Sequence, residues 1–146
     1  MVALDQSLYQ GLADFRLVLR RFLTSSEKLA RSAGVTTQQY QALLVRRARS
    51  DSGVSLKQLA DEMLLAPHGA VQLTNRMETQ GLVSRRPSPT DGRSVLVSLT
   101  PKGTRSLRRL AKNHLAELMK QESLLANTLD RLSGLQRAVK RAGGKQ

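Results

Sequence analysis

Four side chains between His68 and Arg76 have the types and the spacing to read DNA. His68, Gln72, Asn75 and Arg76 are separated by four, three and one residues, which places them on one side of an α-helix, with Gly69 in the same first turn. Gln and Asn suit the hydrogen-bonding edge of adenine, and Arg that of guanine. A second group, Arg85, Arg86, Asp91 and Arg93, lies in a Pro/Gly-rich stretch where guanidinium groups are spaced to meet phosphate. Catalytic residues are not expected. His68 and His114 are far apart on helical patterns, the carboxylates are scattered, and no HExxH, nucleophile elbow or phosphate loop occurs. No metal site and no cofactor are expected either. His114, on an apolar face, reads as a satisfied core or interface histidine; His68 is better placed for phosphate or base than for metal.

The elements that must position these groups follow from the surrounding pattern. Ser55 and Gln58 form a capping box, and Leu56, Leu59, Ala60 and Met63 recur at helical spacing behind it. Pro67 suits the first turn of a second helix, although Ala66 gives that helix a poor N-cap. There Ala70, Leu73, Thr74 and Met77 share the side opposite the candidate readers. Two short helices joined by a tight turn, the second with a polar outer face, predict a helix-turn-helix whose second helix enters the major groove. Gly81 ends that helix, Leu82 and Val83 begin a strand, and Val95, Val97 and Leu99 alternate with Ser94, Leu96 and Ser98. The result is a β-hairpin with a charged tip, a wing, with Val54 a candidate third strand beside it. Thr100-Pro101 then supplies an N-cap and first-turn proline for a helix predicted to reach about Ala126. A last helix is expected from about Thr128, and the tail from Arg141 to Gln146 is expected to fray. Upstream, residues 5 to about 31 predict a helix with Leu8, Leu12, Phe15, Leu19 and Phe22 as its apolar stripe. A helix over about 37–49 follows, with Tyr40, Leu43, Leu44 and Arg47 facing inward.

Three short motifs stand in order through this region: Gly81-Leu82-Val83, Asp91-Gly92-Arg93 and Leu99-Thr100-Pro101-Lys102-Gly103. Together they resemble the MarR family of winged helix-turn-helix transcription regulators, as does Val35-Thr36-Thr37-Gln38-Gln39-Tyr40 ahead of the reading pair. The resemblance implies a mainly α fold with a small β-wing, one domain over 1–146. Within it, about 36–103 would form the DNA-binding lobe, and about 5–31 and 104–141 the dimerisation helices. It implies a homodimer on pseudo-palindromic duplex DNA, acting most often as a repressor. It also implies Arg93 in or along the minor groove, with Asp91 holding its guanidinium or the loop; the bland alternative is a turn aspartate and a solvated arginine. Arg76 alternatively forms an ion pair with Asp61 or Glu62. Asn75 stands where the family often has aspartate, so an Asp–Arg brace of the reading helix is not carried over. Members often bind small aromatic anions between the dimer helices and the DNA-reading lobe. The corresponding candidates here are Phe15, Leu19, Tyr40, Leu44, Arg47 and Arg108, an arginine pairing with a carboxylate.

Composition agrees. A formal charge of +13 over 146 residues points to a polyanionic partner, nucleic acid before membrane. Residues 85–109 hold seven Lys/Arg against Asp91, whereas residues 51–84 hold only Lys57 and Arg76 against four acids. The wing and its exit helix are therefore expected to supply salt-sensitive phosphate affinity, and the reading helix the sequence preference. Two Phe, two Tyr and no Trp argue against a single-strand binder built on aromatic stacking. The absence of cysteine excludes disulfides, Cys-based zinc sites and thiol sensing. No apolar run approaches the roughly 20 residues that span a bilayer, and the first five residues lack a signal-peptide pattern, so a cytoplasmic protein is expected. Two other classes are weighed against a sequence-specific regulator. The charge favours an architectural, nonspecific DNA binder, which the slightly acidic reading pair opposes. A winged helix turned to protein contact is opposed by the arginines of the wing.

Overall fold

The computed structural model describes residues 2–144, with side chains from Asp5. The elements are α1 (Val2–Ser32), α2 (Thr37–Arg49), β1 (Val54–Ser55), α3 (Leu56–Met63), α4 (Pro67–Thr79), β2 (Val83–Pro87), β3 (Val95–Leu99), α5 (Pro101–Met119) and α6 (Glu122–Gly143). The described residues up to Ser26 and those from His114 on form one compact unit, and Glu27–Asn113 form another.

The central unit is built as its sequence pattern dictates. Thr36 and Gln39 cap α2 reciprocally, and Ser55 and Gln58 do the same for α3, so four backbone–side-chain bonds set two helix starts. The sheet order is β1-β3-β2, both pairings antiparallel, with Val54 opposite Val97 and Val83 opposite Leu99. Val54 does add the third strand. Leu43, Leu59, Met77, Val83 and Leu107 belong to one buried apolar cluster that joins α2, α3, α4, the hairpin and α5. Gly81 takes φ 73°, ending α4 in the left-handed region as glycine allows. Thr100 joins the two sides of the hairpin root: its hydroxyl donates to Gly81 O and accepts the Gly103 N–H at 3.0 Å. Gly103 is fixed by space, because a Cβ there would stand 2.0 Å from Leu82 O.

The terminal unit is thinner. Its buried positions are Gly11, Val18, Ser26 and Thr128, and a Cβ on Gly11 would meet Leu132 Cδ2 at 2.8 Å. The buried line of α1 is thus displaced from the expected stripe: Leu12 and Leu19 are exposed, while Leu8, Phe15 and Phe22 are half-buried. Phe22 stacks on His114 with ring centroids 4.6 Å apart. Asp14 pairs with Arg131 at 3.1 Å.

Two further expectations need correction. The helix predicted to run to Ala126 stops at Met119, and α6 begins at Glu122, so Thr128 is a buried residue inside α6. No Gly or Pro marks this break; Gln121 makes the turn, donating to Leu118 O at 2.9 Å and accepting from the Leu125 N–H at 2.9 Å. The C-terminal helix continues to Gly143, past the point where fraying was expected; Lys145 and Gln146 lie outside the described residues.

Candidate nucleic-acid interface

Helix α4 separates its two faces cleanly. Ala70, Leu73, Thr74 and Met77 are buried, and His68, Gln72, Asn75 and Arg76 are exposed; Gly69 is half-buried. Thr74 satisfies its buried hydroxyl by donating to Ala70 O at 2.8 Å, the usual solution for Thr inside a helix. Glu62, one alternative partner for Arg76, pairs instead with Arg49 at 2.9 Å. Among the described residues neither it nor Asp61 pairs with Arg76. Ala66 provides no side-chain cap, as its type predicts. The turn into α4 passes through Leu64, whose φ of 55° is left-handed and whose side chain is 93% exposed.

The wing arginines fall into two kinds. Arg85 is held against α4: its backbone N–H and its guanidinium both donate to the Glu78 carboxylate, at 3.1 and 3.3 Å. Arg86 donates to Ser52 O in the turn before β1. Both therefore anchor β2, one to α4 and one to the turn that follows α2. Arg93 is different. Asp91 Oδ1 accepts its backbone N–H at 3.1 Å, and the Ser94 N–H donates to Asp91 O at 3.0 Å. The aspartate holds the loop backbone, and the exposed Arg93 guanidinium has no partner among the described residues.

Arg46 is not singled out by the inward-facing pattern of α2. It is buried (7% exposed) and donates to Ser50 O and Asp51 O. Its desolvation lowers its pKa, with Arg47 and Arg86 adding to the effect. Arg47, expected to lean inward, is exposed and pairs with Asp51 at 3.3 Å. Spacing alone could not rank 46 against 47, since both follow the Tyr40–Leu43–Leu44 face within one turn.

Of the candidate ligand contacts, Leu44, Arg47 and Arg108 line one hollow of about 320 Å³, together with Ala48, Thr104, Leu107 and Ala111. These four were missed, although Ala48 follows Leu44 by four residues and Thr104, Leu107, Arg108 and Ala111 share a helix face at three- and four-residue spacing. Tyr40 is buried in the apolar core, where desolvation raises its pKa. Phe15 and Leu19 belong to the terminal unit.

A short helix, a tight turn, a second helix with a polar exposed face and a three-stranded wing define a winged helix-turn-helix protein. Residues 33–94 match the sequence model of the MarR family. It is 32% identical over 99 residues to a putative transcriptional regulatory protein for the hcr operon of Thauera aromatica, a match covering 68% of this chain and 54% of that protein. The chain spans about half the length of the curated relatives it matches. Its fold resembles that of a crystallised MarR family transcription regulator, with TM-score 0.76, 23% identity and coverage of 99% of this chain and 95% of that one. It also resembles a mutant MarR from E. coli complexed with operator DNA, with TM-score 0.67, 23% identity and coverage of 87% and 89%. No helix among the described residues is long and apolar enough to cross a membrane.

Proposed function

We propose that this protein is a sequence-specific transcription regulator that binds a pseudo-palindromic operator in duplex DNA as a homodimer. The observation that carries the reading is the division of α4: four hydrogen-bonding side chains outward, four core residues inward, with an arginine-tipped loop beside it. Gln72 and Asn75 suit adenine and Arg76 suits guanine, and His68 sits at the end of the helix nearest its entry into the groove. Arg93, presented by an aspartate-locked loop, supplies a minor-groove or phosphate contact. Arg85, Arg86 and Asp91 act by holding the hairpin that carries it. In a two-fold dimer the reading helices would lie about 34–36 Å apart, one turn of duplex.

The homodimer is supported by where apolar surface remains. Every exposed large hydrophobic side chain among the described residues except Leu64 lies in the terminal unit, Tyr9, Leu12, Leu23, Leu115 and Met119 among them. Large apolar side chains left exposed within one unit suit burial against a second copy. Repression is the mode of action we assign, by occlusion of promoter DNA. A small aromatic acid is the effector class that fits the hollow of Leu44, Arg47 and Arg108, its carboxylate paired with an arginine and its ring against Leu44, Ala48 and Leu107.

Selection of bound fragments from genomic DNA, followed by competition with scrambled duplexes at two salt concentrations, tests the reading. A shared inverted repeat that outcompetes its scrambled form is the expected result. Equal affinity for both would instead favour an architectural DNA binder, the reading the charge of +13 alone would suggest.

A further inference from the structure

Between Asp91 and Glu117 the chain carries no acid, yet it carries Arg93, Lys102, Arg105, Arg108, Arg109 and Lys112. Four of these, Lys102, Arg105, Arg109 and Lys112, recur at three- and four-residue spacing and so form one stripe along the first part of α5; all four are exposed. Among the described residues no carboxylate pairs with any of them, in contrast to Arg31, Arg47, Arg49, Arg85 and Arg131. Like charges at this spacing repel one another, so the stripe costs stability unless an anion compensates it.

The stripe is not flat. Lys102, Arg105, Ser106 and Arg109 enclose a hollow of about 300 Å³, distinct from that of Leu44 and Arg108. Its lining offers two guanidinium forks, one ammonium and one hydroxyl, all donors to oxyanions, with no aromatic wall for a ring and no carboxylate for a cation. Guanidinium pairs with phosphate oxygens in two-point fashion, and two such groups one helical turn apart match two phosphoryl groups better than one. The Lys102 ammonium also donates at 2.8 Å to the backbone carbonyl of Gln80, the residue that caps the C-terminus of α4. An anion in the hollow competes for that ammonium.

We propose that Lys102, Arg105, Ser106 and Arg109 form a binding site for a compact anion bearing two or more phosphoryl groups, and that its occupation draws Lys102 from Gln80 and loosens the end of the reading helix. The binding step is independent of the proposed function; only its effect on operator affinity rests on that reading.

The test is a titration of the full-length, ¹⁵N-labelled protein with tripolyphosphate at constant ionic strength, without DNA. The expected result is saturable shifts in the backbone amides of Lys102–Arg109 and of Gln80–Leu82. Affinity should fall at least tenfold in Arg105→Ala/Arg109→Ala and stay unchanged in Arg93→Ala. In Lys102→Met the shifts at Gln80–Leu82 should vanish while weaker shifts at Arg105–Arg109 persist. Non-saturating shifts, shifts spread equally over residues 85–93, or unaltered affinity in the double variant would overturn the site and leave a diffuse ion atmosphere. Failure of operator recognition alone would leave these results standing.

Discussion

Under the proposed function Gln72 reads bases and Arg93 meets the backbone, so the two should fail in different ways when removed. Gln72→Ala is expected to lose about 1–3 kcal/mol of discrimination at one base pair per half-site with the salt dependence unchanged. Arg93→Ala should weaken binding to all sequences and lower the salt slope by about one per subunit, measured by fluorescence anisotropy across a salt series. Leu64 offers a stability test free of packing effects, since its side chain is 93% exposed at φ 55°. A left-handed non-glycine residue costs roughly 1–2 kcal/mol, partly offset by the extra freedom glycine has when unfolded, so Leu64→Gly should gain about 0.5–1 kcal/mol in urea unfolding. At His114, burial lowers the imidazole pKa from its usual 6.5. The unfolded chain then takes up the proton first. Stability from this group is complete above pH 6.5 and declines as pH falls toward the lowered folded value. Urea midpoints at pH 7 and pH 5 should differ less in His114→Gln than in the wild type.

At the level of elements, the central unit was largely legible because its local signals agree with one another. The Ser55–Gln58 capping box, Pro67, Gly81 and the alternation from Ser94 to Leu99 each name the element that forms. What was not legible depended on contacts distant in sequence. The break at Gln121 lacks a punctuating residue, and the pairing of Arg85 with Glu78 depends on how β2 lies against α4. The Arg46 guanidinium is buried because the turn at Ser50–Asp51 folds back over it. At the candidate site, α4's outward residues were readable from period alone; Tyr40 faces the core as expected, whereas Arg47, expected inward with it, is exposed to solvent. Gly103 gives the sharpest element-level prediction. A Cβ 2.0 Å from Leu82 O cannot be accommodated without moving α5 from the hairpin root, so Gly103→Ala should destabilise by about 1–3 kcal/mol or more in urea unfolding.

For the whole molecule, the account requires two chains. The apolar side chains left exposed in the terminal unit should be covered by a second copy, and sedimentation should show a two-chain species at micromolar concentration. Leu115→Glu, at a position 59% exposed in the single chain, should shift that equilibrium toward one chain while leaving the circular dichroism of the central unit intact. The measurement that bears most directly on the central claim is anisotropy of a selected genomic duplex and its scrambled counterpart, for wild type and for Gln72→Ala/Arg93→Ala. The account predicts a wild-type preference of about 10³-fold or more, reduced at least tenfold in the double variant. Equal affinity of the wild type for both duplexes, or a preference unchanged by the two substitutions, would contradict it.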